Sequence, residues 1–536
     1  MTHYDFIVAG SGATGAMAAQ TLAQRGATVL ILDGGRHDDR YASLIPQKTF
    51  VDIRREEEEQ HRYFLGDAFE SAAYRKIAPG VQLTPPRRFI VDAVDELLKV
   101  RSNSFAPVES LARGGLASGW GLHCGVYSDA ELELASLPPG DMRAAYQTVA
   151  DRIGISGAAG DDAQPYTYGD LQRIAPPLPL DPTAALLESA YQRKREHINL
   201  RDFHLGRPAL ALLSQPKDGR GASTLRDMDF YDDAERAAWR PAITLDAIAG
   251  LPNVAYESNV LVTRFEERDG GVDAVVLDID GRDERRFTGK RLVLACGALG
   301  TARVVLRSLP SENVRLPLLC NTYTYMPCIV PARIGRAMPE RGNSLVQLAL
   351  FHDPDTAQRD IAVGTIFSYR SLMLFRLLRE TPLNVRDARI FMQYLLSGLL
   401  IAGIDHPQAR SEGKSLWLEP DPTSPTGDAL AIAFDLTAGE LLQYDERERA
   451  FAQTLRSLGA WPVKRVRPPL GSSIHYAGTL PFATGQRPFT LDRSGRLGGT
   501  QNVFVADGSG FTFLPAKGLT LSLMANAHRV AAGLPL

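Results

Sequence analysis

"YDFIVAGSGATGAMAAQTLAQRGATVLILDGG", Tyr4 to Gly35, decides the fold. Tyr4 to Ala9 reads as a buried strand, because its apolar run is nearly continuous. Gly10, Gly12 and Gly15 form G-x-G-x-x-G, Ala13 to Arg25 has helical spacing, Gly26 stops it, and Thr28 to Leu32 is a second strand ending at Asp33. The first glycine permits a tight turn, the second lets backbone approach a pyrophosphate, and the third lets helix pack on strand. The helix start then turns its N–H groups and positive dipole end toward the phosphates. Asp33 falls 18 residues after Gly15, where a carboxylate accepts from ribose hydroxyls and repels a 2′-phosphate. The order strand, loop, helix, strand, acid therefore implies a dinucleotide site and disfavours NADP, without choosing between NAD and FAD.

Three later segments make that choice. In Val254 to Ser308, Val260 to Glu267 alternates as a strand, Asp269-Gly270-Gly271 turns it, and Val272 to Ile279 returns. Arg291 to Cys296 then reads as a buried parallel strand running into "CGALGTARVVLRS". A small meander followed by a return to the main sheet is the layout of an FAD-binding chain rather than of a simple NAD dehydrogenase. A second return is "NVFVADGSG", Asn502 to Gly510. It sets Asp507 past a strand end, beside a helix expected to start near Lys517, where a carboxylate and helix N–H groups face a flavin's ribityl chain. The third segment is "SLARGGLASGWGLHCGVYSDAE", Ser110 to Glu131, whose glycines at 114, 115, 119, 121 and 125 allow close approach to a planar ligand.

The bulk numbers agree with a globular enzyme. The chain has 536 residues, 44% hydrophobic and 23% charged, with a formal net charge of −3. That length predicts two or three domains, and the charge argues against a nucleic-acid binder, which needs a basic face. Cys124, Cys296, Cys320 and Cys328 form no C-x-x-C pair and no disulfide framework, so the chain reads as reduced and cytoplasmic. No export signal is visible at the N-terminus. Ile390 to Ile404, "IFMQYLLSGLLIAGI", is short for a membrane span and reads as a buried helix. Arg54 to Arg62, "RREEEEQHR", reads as a solvated helix face.

"VAGSGATG…LILDGG", "GGLASGW", "LVLACGALGTARVVLRS" and the closing His475 … "VFVADGS…LPAKGLTLSLMANA" resemble the glucose–methanol–choline (GMC) oxidoreductases, nearer their pyranose-oxidase-like branch. The resemblance implies an α/β fold: a Rossmann-type FAD-binding domain from residues 1–145, 246–310 and 466–536. An inserted α+β substrate domain carrying an antiparallel sheet would come from 146–245 and 311–465. Carried onto this chain, the expected cofactor-binding residues are Gly10, Gly12, Ala13, Gly15, Asp33 and Gly34 of the first motif. Arg113, Gly115, Ser118 and Trp120 belong to the Gly-rich loop, and Val262, Cys296 and Gly297 to the meander and return strand. Asp507, Gly508 and Gly518 close the set, and no metal site is expected.

In that family the flavin accepts hydride at N5 from a carbinol carbon, a histidine takes the hydroxyl proton, and a second residue, usually His or Asn, holds the substrate oxygen. His475 matches the first, and its titration range suits a base. Lys517 falls on the second, with Gly518 where the family often has proline. A cation there could lower the His475 pKa, bind an alkoxide, stabilise reduced flavin, pair with an anionic substrate or itself act as base. A structural lysine pointing away from the flavin is the competing reading, and a cation is disfavoured at a helix start. Gly119 occupies the position that carries covalent flavin in pyranose oxidases, which implies non-covalent FAD; the nearby His123 leaves a displaced linkage open. The implied function is oxidation of a CH–OH group in a small polar molecule, a sugar or hydroxylated biosynthetic intermediate. The acceptor is unspecified among oxygen, quinone and protein. The alternative is a GMC-like flavoenzyme with isomerase, cyclase, lyase or double-bond reductase chemistry, which a His–Lys pair would favour. A flavin-binding protein without catalysis fits least.

Overall fold

The Tyr4–Ala9 strand lies at the centre of a seven-stranded sheet. It runs parallel to Val29–Leu32 on one side and to Glu284–Leu294 on the other. Val254–Glu257 extends the parallel part beyond Val29–Leu32, and Val503–Val505 pairs in parallel with residues 292–294. In the computed structural model the described residues are 4–68, 83–310, 312–355, 357–368, 384–485 and 487–536.

Alternation along the central strands divides the core. Phe6, Val8, Val29, Ile31 and Val293 enter one apolar cluster with Met17 and Leu22 of the Ala13–Gln24 helix and Leu521 and Met524 of the Leu519–Gly533 helix. Ile7, Leu30, Leu32, Leu292 and Leu294 enter the other with Leu299 and Val305 of the Gly297–Ser308 helix. Both faces are covered by helices, which is why these strands read as unbroken apolar runs. Each fully buried aliphatic side chain contributes about 1.5–3 kcal/mol.

The strand expected at Arg291 to Cys296 is the end of a longer one. Glu284–Leu294 begins exposed and antiparallel to Gly271–Asp278, then becomes buried and parallel to Tyr4–Ala9. The charged half, "ERRFTGK", carries no apolar signal of its own, since it leans on the meander and not on the core.

A six-stranded antiparallel sheet stands apart from the parallel one. Its order is Trp461–Pro462, Thr322–Ile329, Leu399–His406, Ala362–Phe367, Val346–His352 and Phe203–Gly206. The buried helix expected from Ile390 to Ile404 does not form. A helix covers Val385–Leu395, a short 3₁₀ turn follows, and Leu399–His406 is a central strand. A short apolar run fits either state, and pairing on both edges decided for strand. No helix among the described residues is long and apolar enough to cross a membrane. The Phe50–Glu56 helix carries the first part of the charged run, with Arg54, Arg55 and Glu56 exposed. All four cysteines are free.

Candidate active site

One cavity of about 420 Å³ runs from the first glycine motif to the antiparallel sheet. Three helices start on it, with Ala13, Gly297 and Leu519 at their first turns and in its wall. Their free N–H groups and dipole ends favour anionic groups there.

The first motif divides labour as its spacing demands. Gly10 has φ +95°, and a Cβ on it would sit 2.6 Å from the Ala295 carbonyl oxygen. A Cβ on Gly15 would lie 1.9 Å from the Gly10 oxygen, so this glycine serves helix packing and does not line the cavity. A Cβ on Gly12 would meet nothing nearer than 3.9 Å, so its bare face is turned to open space in the cavity. Asp33 accepts from the Ser11 N–H at 3.0 Å, the Gly35 N–H at 2.9 Å and the Tyr256 hydroxyl at 2.8 Å. Burial raises its pKa against those donors. A cradle with open space at Gly12, backed by a helix start and flanked by a fixed carboxylate, fits a dinucleotide such as FAD.

The other expected contacts separate into two groups. Ala13, Gly34, Gly115, Trp120, Val262, Cys296, Gly297, Asp507, Gly508 and Gly518 line the cavity. Asp507 also caps the Gly508–Gly510 turn: it accepts from the Ser509 N–H at 3.0 Å, the Ser509 hydroxyl at 2.6 Å and the Thr301 hydroxyl at 2.6 Å. Arg113 and Ser118 do not line it. Arg113 pairs with Asp246 at 2.7 Å, and the Ser118 hydroxyl donates to the Arg113 carbonyl at 2.9 Å, so both shape the loop from behind.

Lys517 is turned elsewhere. Its ammonium lies 2.7 Å from the Glu131 carboxylate, with both side chains buried, and donates to the Val126 carbonyl at 3.1 Å. It also sits 5.6 Å from the centre of the Tyr166 ring. It is absent from the cavity wall, which its neighbours Ala516 and Gly518 reach. The expectation of an active-site cation is corrected here: Glu131, itself the N3 residue of a capping box with Ser128, neutralises the lysine away from the site.

His475 does line the cavity, and burial lowers its pKa to about 4. Its Nδ1 lies 3.0 Å from the Asn321 side-chain oxygen. The Asn321 amide nitrogen faces three carbonyls, those of His406, Leu514 and Pro515, at 2.8, 3.3 and 3.2 Å. Three acceptors fix that nitrogen as the donor and leave the oxygen toward the ring. Nδ1 therefore carries the proton, and Nε2 keeps its lone pair. His123 lines the same cavity; burial first, then the nearby His475, lowers its pKa to about 4. Its Nε2 has no hydrogen-bond partner among the described residues.

Sequence reasoning missed Asn321, Ser11, Tyr256 and the cavity-facing residues of the antiparallel sheet. Asn321 carries no motif, and its partners lie far away in sequence. Ser11 was legible as the variable position inside the glycine motif.

Residues 434–527 match the family model described as GMC oxidoreductase, C-terminal. No curated protein sequence matches the chain. Among solved structures, the pyridoxine 4-oxidase from Mesorbium loti shares the fold with a TM-score of 0.57 at 14% identity, over 99% of this chain and 98% of that one. The C-terminal segment is thus similar to the GMC oxidoreductases, and the fold shared with the pyridoxine 4-oxidase extends along nearly the whole chain.

Proposed function

We propose that the chain oxidises a CH–OH group of a small polar molecule, with FAD held non-covalently and His475 as the base. The observation that carries this reading is the oriented pair of His475 and Asn321 in the wall of the cavity. The residues that would hold FAD are Gly12, Ala13, Asp33, Gly34, Gly115, Gly297 and Asp507, on segments within 1–145, 246–310 and 466–536. When bound, FAD supplies the two-electron acceptor for carbinol oxidation.

This chain's own part is the proton. An imidazole held neutral by burial is ready to accept the hydroxyl proton at working pH. Asn321 positions the ring and fixes the tautomer, so Nε2 is the accepting atom. His123, with an unpartnered ring nitrogen in the same wall, takes the role of holding the substrate oxygen. That role does not pass to Lys517, whose charge is spent on Glu131. The non-redox alternative drew on a His–Lys pair at the cavity, and Lys517 does not reach it. Gly119 offers no side chain for a covalent flavin, so FAD should be released intact by denaturation.

The test is anaerobic mixing of the holoprotein with a panel of primary and secondary alcohols while the flavin absorbance is followed. Bleaching with stoichiometric carbonyl product is the expected result. Product formed without bleaching, or no bleaching with any alcohol, overturns the reading.

A further inference from the structure

Four carboxylates line the cavity: Asp33, Glu109, Asp405 and Asp507. Three are satisfied by the protein. Asp33 and Asp507 accept from hydroxyl and N–H donors, and Glu109 pairs with Arg303 at 2.9 Å. Asp405 has no hydrogen bond and no ion pair among the described residues. A partly buried carboxyl in the cavity wall without a protein donor has only what fills the cavity as a partner. Burial alone pushes its pKa up to about 8.

Its place in the sheet says what it faces. Residues of the Leu399–His406 strand alternate: Leu400, Ala402 and Ile404 pack into the apolar cluster behind the sheet. Ile401, Gly403 and Asp405 therefore share the opposite face. Asp405 stands between Tyr323 and Val363, and Gly403 between Tyr325 and Thr365. Tyr323, Val363, Thr365 and Phe367 reach the cavity with it. A Cβ on Gly403 would lie 2.5 Å from the Tyr323 hydroxyl oxygen, so the glycine gives that ring room to lie across the sheet beside Asp405. An unpaired carboxyl flanked by an aromatic ring is the arrangement that receives a small organic cation, by charge-assisted hydrogen bonding and by the ring's negative face.

We propose that Asp405 selects substrates carrying a positively charged nitrogen, an alkylammonium or protonated heteroaromatic ring, on the same small molecule whose CH–OH is oxidised. The proposal deepens the alcohol-oxidation reading and rests on it for the reaction, though not for binding. A bound cation stabilises the ionised carboxylate, which burial alone disfavours, and a neutral hydroxyl does not. Asp405 is a specificity residue and takes no part in proton transfer.

Two experiments separate this inference from the function it refines. The first needs no turnover: calorimetry on the holoprotein compares benzylammonium with neutral benzamide. Wild type should bind the cation about tenfold or more tightly, Asp405→Asn should reduce the difference below about threefold, and Asp405→Glu should retain part of it. The second compares kcat/KM for 4-(aminomethyl)benzyl alcohol and for 4-ethylbenzyl alcohol, which has the same shape without the charge. A preference for the amine in wild type that Asp405→Asn removes is the expected result. Equal binding of benzylammonium and benzamide by wild type overturns the inference even if alcohols are oxidised, and does so without relying on a variant that folds. Cation binding that depends on Asp405, with no alcohol oxidised, upholds the inference and overturns the oxidation reading instead.

Discussion

Asn321 shows how one residue decides a chemical role. Its amide nitrogen is committed to three carbonyls, so its oxygen accepts from His475 and sets which ring nitrogen is basic. Asn321→Leu removes that acceptor. The rate constant for flavin reduction at saturating alcohol should fall about 10- to 100-fold with a smaller change in apparent affinity, because the ring is misoriented while the pocket survives. Stopped-flow reduction over a substrate series separates the two. The pH profile follows from burial. His475 is lowered from 6.5 to about 4, so it is neutral above that value and protonated below it. Reduction should hold its rate as pH falls through 6.5 and lose it only toward about 4. A limb near 6.5 would mean that the reacting base is solvated.

At the scale of elements, the glycine loop and the Lys517–Glu131 pair make opposite predictions about what a substitution costs. Gly12→Ala meets no protein atom nearer than 3.9 Å, whereas Gly15→Ala drives a Cβ to within 1.9 Å of the Gly10 oxygen. Gly12→Ala should fold with its apo stability changed by less than about 1 kcal/mol, yet lose FAD; Gly15→Ala should not fold. The flavin-to-protein ratio and apo thermal melting check both. Lys517→Met strands the Glu131 carboxylate in the core and should cost about 3–5 kcal/mol, while Glu131→Leu with Lys517→Met should recover most of it. Denaturant unfolding of wild type, the two single variants and the double variant reads this directly. The pair also explains why Lys517 was misread. The spacing of "LPAKGLT" places a cation before a helix start, but its partner is fixed by a capping box on another element. Local spacing carries no trace of such a contact.

Across the whole molecule, what the sequence discloses is what local physics determines. The strand, glycine loop, helix and Asp33 follow one another within 4–33, and their roles emerge from spacing alone. The meander is legible because its turns are Asp-Gly and Gly-Gly and its strands alternate. The antiparallel sheet was expected, yet not its strand Leu399–His406, since an apolar run reads alike as buried helix or central strand until pairing is known. Asp405 was hidden with it. A lone aspartate at the end of such a run looks like a boundary, and only the register with Tyr323 and Val363 turns it into a cavity wall. The chemistry of the site therefore reads in two parts. The cofactor half comes from motifs, and the substrate half comes from long-range strand pairing.

The proposed removal of the substrate proton by His475 in an FAD-loaded cavity can be tested on a single turnover. The most direct measurement is single-turnover flavin reduction in wild type and His475→Ala, both shown spectroscopically to retain FAD, with the alcohol that bleaches wild type fastest. Reduction should be slowed by about 10²- to 10⁴-fold in His475→Ala with the cofactor still bound. Reduction of that variant at the wild-type rate would contradict the proposal and place the base elsewhere.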